Sequence, residues 1–276
     1  MSIFKPVTLI TGASSGIGAA LARVFAEHGH EVALVARREA ELARLADDIA
    51  AAGRPRPHVI PIDLARSDSP ARIGHELLVR GLEPAVVVNN AGFGLFGLAA
   101  ELDRADQVAM IDLNVRTLTE LSLRWIDSLA RHRGGILNVA SVAGFLPGPG
   151  MAVYYATKAY VVSFSEALHV ELRSKGVRVT VLCPGPVATG FQARAGIGAR
   201  HFPRILQRTA ERVAREGYAG FMQGRRLVVP GFANSFVAFI PRLIPRGTML
   251  KLVRRSQGRS PAAKPEGWPR RPSERT

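Results

Sequence analysis

The sequence predicts an α/β fold, a doubly wound parallel sheet of about seven strands with helices on both faces. Two observations carry that prediction. Short apolar runs of strand length recur at 7–11, 32–36, 58–62, 85–89, 136–140, 177–182 and 227–229, and longer segments, some of clear helical periodicity, separate them. The runs are apolar almost throughout rather than alternating, as strands covered on both faces require, and alternation of strands with helices is the pattern of a parallel sheet.

Each element has a local reason. The first run meets a Gly/Ser cluster, which turns the chain into a helix. Within 17–28, Ile17, Leu21, Val24 and Phe25 fall at i, i+4, i+7 and i+8 and so share one helix face, and Gly29 ends the pattern. After the second strand, Leu42, Leu45 and Ile49 form a second stripe that stops at Gly53. Between 190 and 208 the pattern loosens into a Gly- and Arg-containing stretch, read as a mobile loop after the sixth strand. From Ser256 onward Pro261, Pro265, Pro269 and Pro272 with scattered charges predict a disordered tail. The expected organisation is one domain over 1–255, including an apolar and basic extension at 231–255, followed by a tail at 256–276.

Composition sets the outer limits. A chain of 276 residues, 47% hydrophobic and 21% charged, can bury a full core and is not a disordered, collagen-like or coiled-coil protein. Cys183 is the one cysteine, and the seven histidines form no His/Cys pair at metal-ligand spacing, so a reducing, cytoplasmic setting without a metal is expected. The first apolar run is too short for a secretory signal. The apolar stretch 227–244 is broken by Pro230, Asn234, Ser235, Pro241 and Arg242, short of the roughly 18 unbroken residues of a spanning helix. The net charge of +15 is unevenly placed: residues 1–191 hold 19 basic against 18 acidic residues, and the remainder 18 against 4. A nucleic-acid role is not expected, because no reading motif and no platform of interleaved aromatics accompanies the basic tail.

The chemistry-bearing motifs sit at strand ends. Thr11-Gly12-Ala13-Ser14-Ser15-Gly16-Ile17-Gly18 links the first strand to the first helix, where a glycine-rich turn brings backbone amides to a pyrophosphate at the positive helix end. The spacing is Gly-x-x-x-Gly-x-Gly rather than Gly-x-Gly-x-x-Gly. About 20 residues further on, where a carboxylate would accept from a ribose 2′-hydroxyl, stand Arg37 and Arg38. Two guanidiniums there suit a 2′-phosphate, so NADP(H) is the expected cofactor. Tyr154 and Lys158 lie four residues apart in a helical segment and share a face, and an ammonium beside a phenol is expected to lower its pKa from the usual value of about 10.

These residues, in this order, resemble the short-chain dehydrogenase/reductase family. The glycine motif is matched in full by Thr11 to Gly18; Asp63-Leu64 follow the third strand and Asn89-Asn90-Ala91-Gly92 the fourth; then come Asn114, Ser141, Tyr154 with Lys158, and Pro184-Gly185 with Thr189. The resemblance spans about residues 5 to 190 and implies a Rossmann-type sheet. It implies a cofactor held by Gly12, Ser14, Ser15, Gly16, Ile17, Gly18, Arg37, Arg38, Asp63, Leu64, Asn90, Ala91, Gly92, Tyr154, Lys158, Pro184, Gly185, Val187 and Thr189, with Asp63 on the adenine and 184–189 on the nicotinamide carboxamide. It also implies a catalytic set: Tyr154 as proton donor to a carbonyl, Ser141 on the substrate oxygen, Lys158 beside the tyrosine, and Asn114 in a water-linked relay. Ala140 departs from the many relatives that carry a serine there. Tyr155 does not compete as a base, since Ala159 and not a lysine follows it by four.

The activity implied is NADPH-dependent hydride transfer between a ketone or aldehyde and an alcohol, by a homodimer or homotetramer, with 190–208 as the substrate lid. An NADP-binding regulator without turnover is the alternative, and the intact Asn, Ser, Tyr and Lys set argues against it. After the last strand, Phe232, Phe236, Phe239, Leu243 and Leu250 are interleaved with Arg242, Arg246, Lys251, Arg254 and Arg255. Such a segment can lie on an anionic bilayer, pack on a second subunit or close over the site. A lipophilic carbonyl substrate is the expectation it raises.

Overall fold

The computed structural model describes residues 4–187 and 203–257. The order is β1 (Lys5–Thr11), α1 (Gly16–Glu27), β2 (Val32–Ala36), α2 (Glu39–Ala51), β3 (His58–Pro61), α3 (Ser69–Val79), β4 (Leu82–Asn89) and α4 (Arg104–Ile111). A π-helical turn, Asp112–Thr117, joins α4 to α5 (Leu118–Arg124), and α6 (Ile126–Arg131), β5 (Gly135–Val139), α7 (Ala152–Glu171) and β6 (Arg178–Leu182) follow. Beyond residue 203 come α8 (Ala210–Met222), β7 (Leu227–Val228), α9 (Phe232–Phe239) and α10 (Arg246–Gln257).

The seven described strands form one parallel sheet in the order β3-β2-β1-β4-β5-β6-β7. Alternate residues of each strand feed opposite faces, as the two-residue period requires. Ile10, Leu34, Val88, Leu137 and Leu182 pack with Leu21, Phe25, Leu42, Val213 and Phe221 of α1, α2 and α8. Leu9 and Val35 meet Ile73, Leu77 and Leu121 on the other face, and Val87, Ile136 and Val179 meet Leu129, Leu168 and Leu172. The predicted stripes of α1 and α2 are therefore core faces, and Gly29 and Gly53 end those helices with φ of +83° and +77°.

Besides shifts of one or two residues at other strand ends, three boundaries differ from the apolar pattern. Strand β4 starts at Leu82 rather than Ala85, because Lys5, Pro6 and Val7 pair with Leu82, Glu83 and Pro84; the register then shifts between Val7 and Thr8, where Pro84 has no N–H to give the ladder. Helix α10 continues through Gln257, past the expected tail start at Ser256, since no proline stops it before Pro261. Of the loop expected at 190–208, residues 203–208 are described, with a short turn at Arg204–Leu206 and a parallel bridge from Arg208 to Val187. Thr189, Phe191 and the rest of the loop to 202, and the tail from 258, lie outside the described residues.

The sheet reverses its winding between β1 and β4, and a crevice at the carboxyl ends of the strands opens at such a switch point. The glycine turn, Arg37, Asp63, Asn90 and Ser141 follow the carboxyl ends of β1, β2, β3, β4 and β5 along that edge.

Candidate active site

At the end of β1, Gly12 adopts φ +66° and Gly16 φ +59°, a turn that side chains strain to make. Gly18 is glycine for space: a Cβ there would overlap the Gly12 carbonyl and the Asn90 side chain. Thr11 joins the two strands of the switch point. Its hydroxyl donates to the Val88 carbonyl (3.2 Å) and accepts from the N–H groups of Asn90 (3.0 Å) and Ala91 (3.1 Å). Asn90 returns the tie by donating from Nδ2 to the carbonyls of Thr11 (2.9 Å) and Gly12 (3.3 Å).

Arg37 and Arg38 leave β2 at the same edge, both exposed. The Arg38 guanidinium reaches across to the glycine turn and donates to the hydroxyls of Ser14 and Ser15, each at 3.0 Å, and to the Ser14 carbonyl at 3.3 Å. It therefore lies over the turn rather than along α2, whose first turn carries Glu39 and Glu41. Asp63 follows β3 and accepts from the Ala65 N–H (3.1 Å); Leu64 is buried, and its carbonyl accepts from Thr117 (3.1 Å).

Asn114 occupies the π turn between α4 and α5, where one extra residue is admitted to the helical ring. Its Oδ1 accepts from the Phe93 N–H (3.1 Å), and its Nδ2 donates to the Phe93 carbonyl (2.9 Å) and to Thr157 Oγ1 (3.1 Å). That one buried amide fastens the chain after Gly92 to α7. A Cβ on Gly92 would meet Asn114 Oδ1 at 2.8 Å and Lys158 Nζ at 3.7 Å, so a side-chain-free niche lies between them. Beneath the site Asn89 donates to Ser122 and Asn138, and Asn138 to Ser165, each at 2.9 Å, a buried chain that locks β4, β5, α5 and α7 together.

Tyr154 and Lys158 stand one turn apart on α7, both buried, with Nζ 5.9 Å from the centre of the phenol ring. Lys158 donates to the Val139 carbonyl at the end of β5 (2.9 Å), and burial pushes its pKa down to about 8. The expectation of a lowered tyrosine pKa is not what the structure shows. Burial raises the Tyr154 phenol above its usual range, and a hydrogen bond with Ser141 offsets this only in part. Loss of water is the largest cause, and the neighbouring Tyr155 and Cys183 groups push in the same direction. Ser141 is placed by the turn it caps: its Oγ accepts from the Ala143 N–H (3.1 Å) and donates to the Pro184 carbonyl (3.4 Å).

A family model for short chain dehydrogenases matches residues 6–198. The chain belongs to the short-chain dehydrogenase family. It is 38% identical to sulfoacetaldehyde reductase 2 of Chromohalobacter salexigens over 188 residues, 67% of this chain and 74% of that one. It is 32% identical to very-long-chain 3-oxoacyl-CoA reductase of Anas platyrhynchos over 252 residues, 89% and 78% of the two chains. Among solved structures, a short-chain dehydrogenase from Sphingobium yanoikuyae in complex with NADPH superposes with a TM-score of 0.74 at 30% identity, over 91% of this chain and 96% of that one. The dehydrogenase is accordingly an oxidoreductase of CH–OH and C=O groups that uses a nicotinamide cofactor and a small-molecule substrate.

Its cleft fits such a cofactor on structural grounds. The dehydrogenase offers a turn with two positive-φ glycines at a helix N-terminus, two exposed arginines at the end of β2 beside that turn, and a niche at Gly92 beside an ammonium. Sequence reasoning missed several groups that build this cleft: the Val139 carbonyl, Thr157, and Cys183, whose buried thiol lies near Lys158 and is held protonated by burial. None has a spacing that marks it, because each reaches the site from a different element. Asn234, an amide inside an apolar run, did carry a mark.

Proposed function

We propose that this dehydrogenase transfers hydride between NADP(H) and a lipophilic ketone or aldehyde, with Tyr154 giving the proton to the nascent alkoxide. The observation that carries the reading is the geometry of the buried Tyr154, hydrogen-bonded with Ser141 and one turn from Lys158. NADPH would supply the hydride. Gly12, Ser14, Ser15, Gly16, Ile17 and Gly18 would hold its pyrophosphate, Arg37 and Arg38 its 2′-phosphate, Asp63 and Leu64 its adenine, and Asn90, Ala91, Gly92 and Lys158 the nicotinamide riboside. Pro184, Gly185, Val187 and Thr189 would hold the carboxamide.

Ser141 turns its one hydroxyl proton from the Pro184 carbonyl to the substrate oxygen and shares that oxygen with Tyr154, so negative charge developing on it meets two donors. Tyr154 then releases its proton to it. Lys158 stabilises the phenolate left behind and, charged below about pH 8, is the group from which the proton is replaced. Asn114 holds the Gly92–Phe93 turn against α7 and thereby keeps Lys158 in register with the cleft.

The two curated relatives act, by their names, on a small anionic aldehyde and on very-long-chain acyl substrates, so the substrate class is the discriminating measurement. NADPH oxidation against a panel of long-chain, cyclic and small anionic carbonyls is expected to give the highest kcat/KM for the first two groups. Highest activity on the anionic aldehyde would replace the lipophilic reading, and no turnover with any carbonyl would leave the NADP-binding regulator.

The C-terminal extension supports a lipophilic substrate met at an anionic bilayer. Phe232, Phe236, Phe239 and Leu243 recur at helical spacing and are 88%, 57%, 51% and 70% exposed, while Asn234 and Ala238 face inward. Residues 230–257 contain five basic and no acidic residues, so a second copy of the same face is repelled where anionic lipid is attracted. Among the described residues no helix is long and apolar enough to cross a membrane, so the contact proposed is peripheral. In co-sedimentation at low salt the protein is expected to bind phosphatidylglycerol vesicles and not phosphatidylcholine vesicles. Replacing Phe232, Phe236 and Phe239 by Ser should weaken binding at least about tenfold, since each buried aromatic contributes about 1.5–3 kcal/mol. Equal binding to both lipids, or none to either, would refute the membrane contact.

A further inference from the structure

Asn234 lies in the first turn of α9 and is fully buried. Its Nδ2 donates to the Pro230 carbonyl (2.8 Å), one turn back, and to the Leu206 carbonyl (3.1 Å) at the end of the described part of the loop region. Its Oδ1 has no hydrogen-bond partner among the described residues. The amide lies flat against Gly185, where a Cβ would overlap its Oδ1, Cγ and Nδ2. Gly185 does not take a positive φ, so its backbone admits any residue; what excludes a side chain there is Asn234.

The loop that contains Gly185 is joined to the site at both ends. The Pro184 carbonyl accepts from Ser141 Oγ and from the Val142 N–H (3.0 Å), while the Pro186 carbonyl accepts from the Arg208 N–H (3.1 Å). Asn234 therefore presses on the middle of a loop whose upstream bond sets the serine and whose downstream bond sets the segment leading into α8. We propose that Asn234 is a positioning residue. It holds Pro184–Val187 and Leu206 at one spacing, and through them fixes Ser141 and the nicotinamide face of the cleft. This rests on the reading that residues 184–187 face the nicotinamide.

The geometry points to an unusual pattern of mutual rescue. Gly185→Ala alone pushes its methyl into the Asn234 side-chain amide and displaces the loop, and is expected to lower kcat at least tenfold. Asn234→Ala alone frees the loop and is expected to lower kcat about tenfold, while the Kd for NADPH changes by less than threefold because the adenosine end is untouched. In the double variant the two alanine methyls share the vacated space, and kcat is expected to recover to above that of Gly185→Ala. Ser235→Ala, on the same helix but exposed, controls for general loosening of α9.

The readout that does not depend on turnover is the fluorescence anisotropy of reduced nicotinamide in bound NADPH. It is expected to fall in Asn234→Ala and to stay at the wild-type value in Ser235→Ala. Unchanged anisotropy and unchanged kcat per folded molecule in Asn234→Ala, even with a lowered Tm, would overturn the positioning role alone. Wild-type protein that failed to bind NADPH would instead remove the functional reading on which the role rests.

Discussion

Tyr154→Phe is expected to lower turnover of an accepted ketone about a thousandfold while leaving the fold and NADPH binding in place. The ring keeps its packing against Leu95, Phe96, Met110, Ala143 and Met151, so the variant retains the apolar cluster and loses one hydroxyl. What disappears is the acid. Positioned proton transfer contributes roughly a hundred- to ten-thousandfold, and Phe has nothing to transfer. Measured as kcat for a ketone at saturating NADPH, near-wild-type turnover in a correctly folded Phe variant would eliminate Tyr154 as the donor. The pH profile adds an independent check. Lys158 is charged below about 8 and neutral above, so the reductive rate should fall as pH rises through that region. The limb belongs to the lysine rather than the phenol, whose pKa burial has moved upward.

Arg37→Asp combined with Arg38→Ala is expected to weaken NADPH binding about ten- to a hundredfold and to leave NADH binding equal or improved. A hydrogen bond to a charged group contributes about 1.5–3 kcal/mol, and about 1.4 kcal/mol is a factor of ten. Both arginines are exposed, and the bonds Arg38 makes are to Ser14 and Ser15 on the surface turn, so their loss should leave the core intact. Fluorescence titration of the two reduced cofactors measures it. Equal Kd values for NADPH and NADH in the wild type would end the case for a 2′-phosphate site.

The amino-acid sequence by itself determined the sheet, its helices and the order of motifs along its carboxyl edge, because those features follow from short-range rules. A buried parallel strand is an apolar run bounded by turn residues, and a core helix shows its stripe at three and four residues. The stripes at Leu21 and Phe25 and at Leu42 and Ile49 needed no partner to be seen. Gly12, Gly16 and Gly18 were legible for the same reason, since a turn with positive φ and no room for a Cβ restricts its own residues. The i, i+4 pair Tyr154 and Lys158 was legible as a shared face.

Only the tertiary structure decided how those side chains are tuned and held. The same pair predicted a phenol made more acidic by its lysine, whereas burial in the folded cleft raises the phenol and lowers the lysine. Desolvation depends on everything packed around a group, and no spacing encodes it. Asn114 reads as a polar residue in a helix; the fold places it in a π turn and pairs it with Phe93 and Thr157, 21 and 43 positions away. Asn234 reads as a break in an apolar run, and its contact with Gly185 exists only because β7, paired with β6, brings the start of α9 beside the loop that follows β6. Such contacts join residues far apart in sequence, and their free energy comes from burial and close packing that arise when the sheet has assembled.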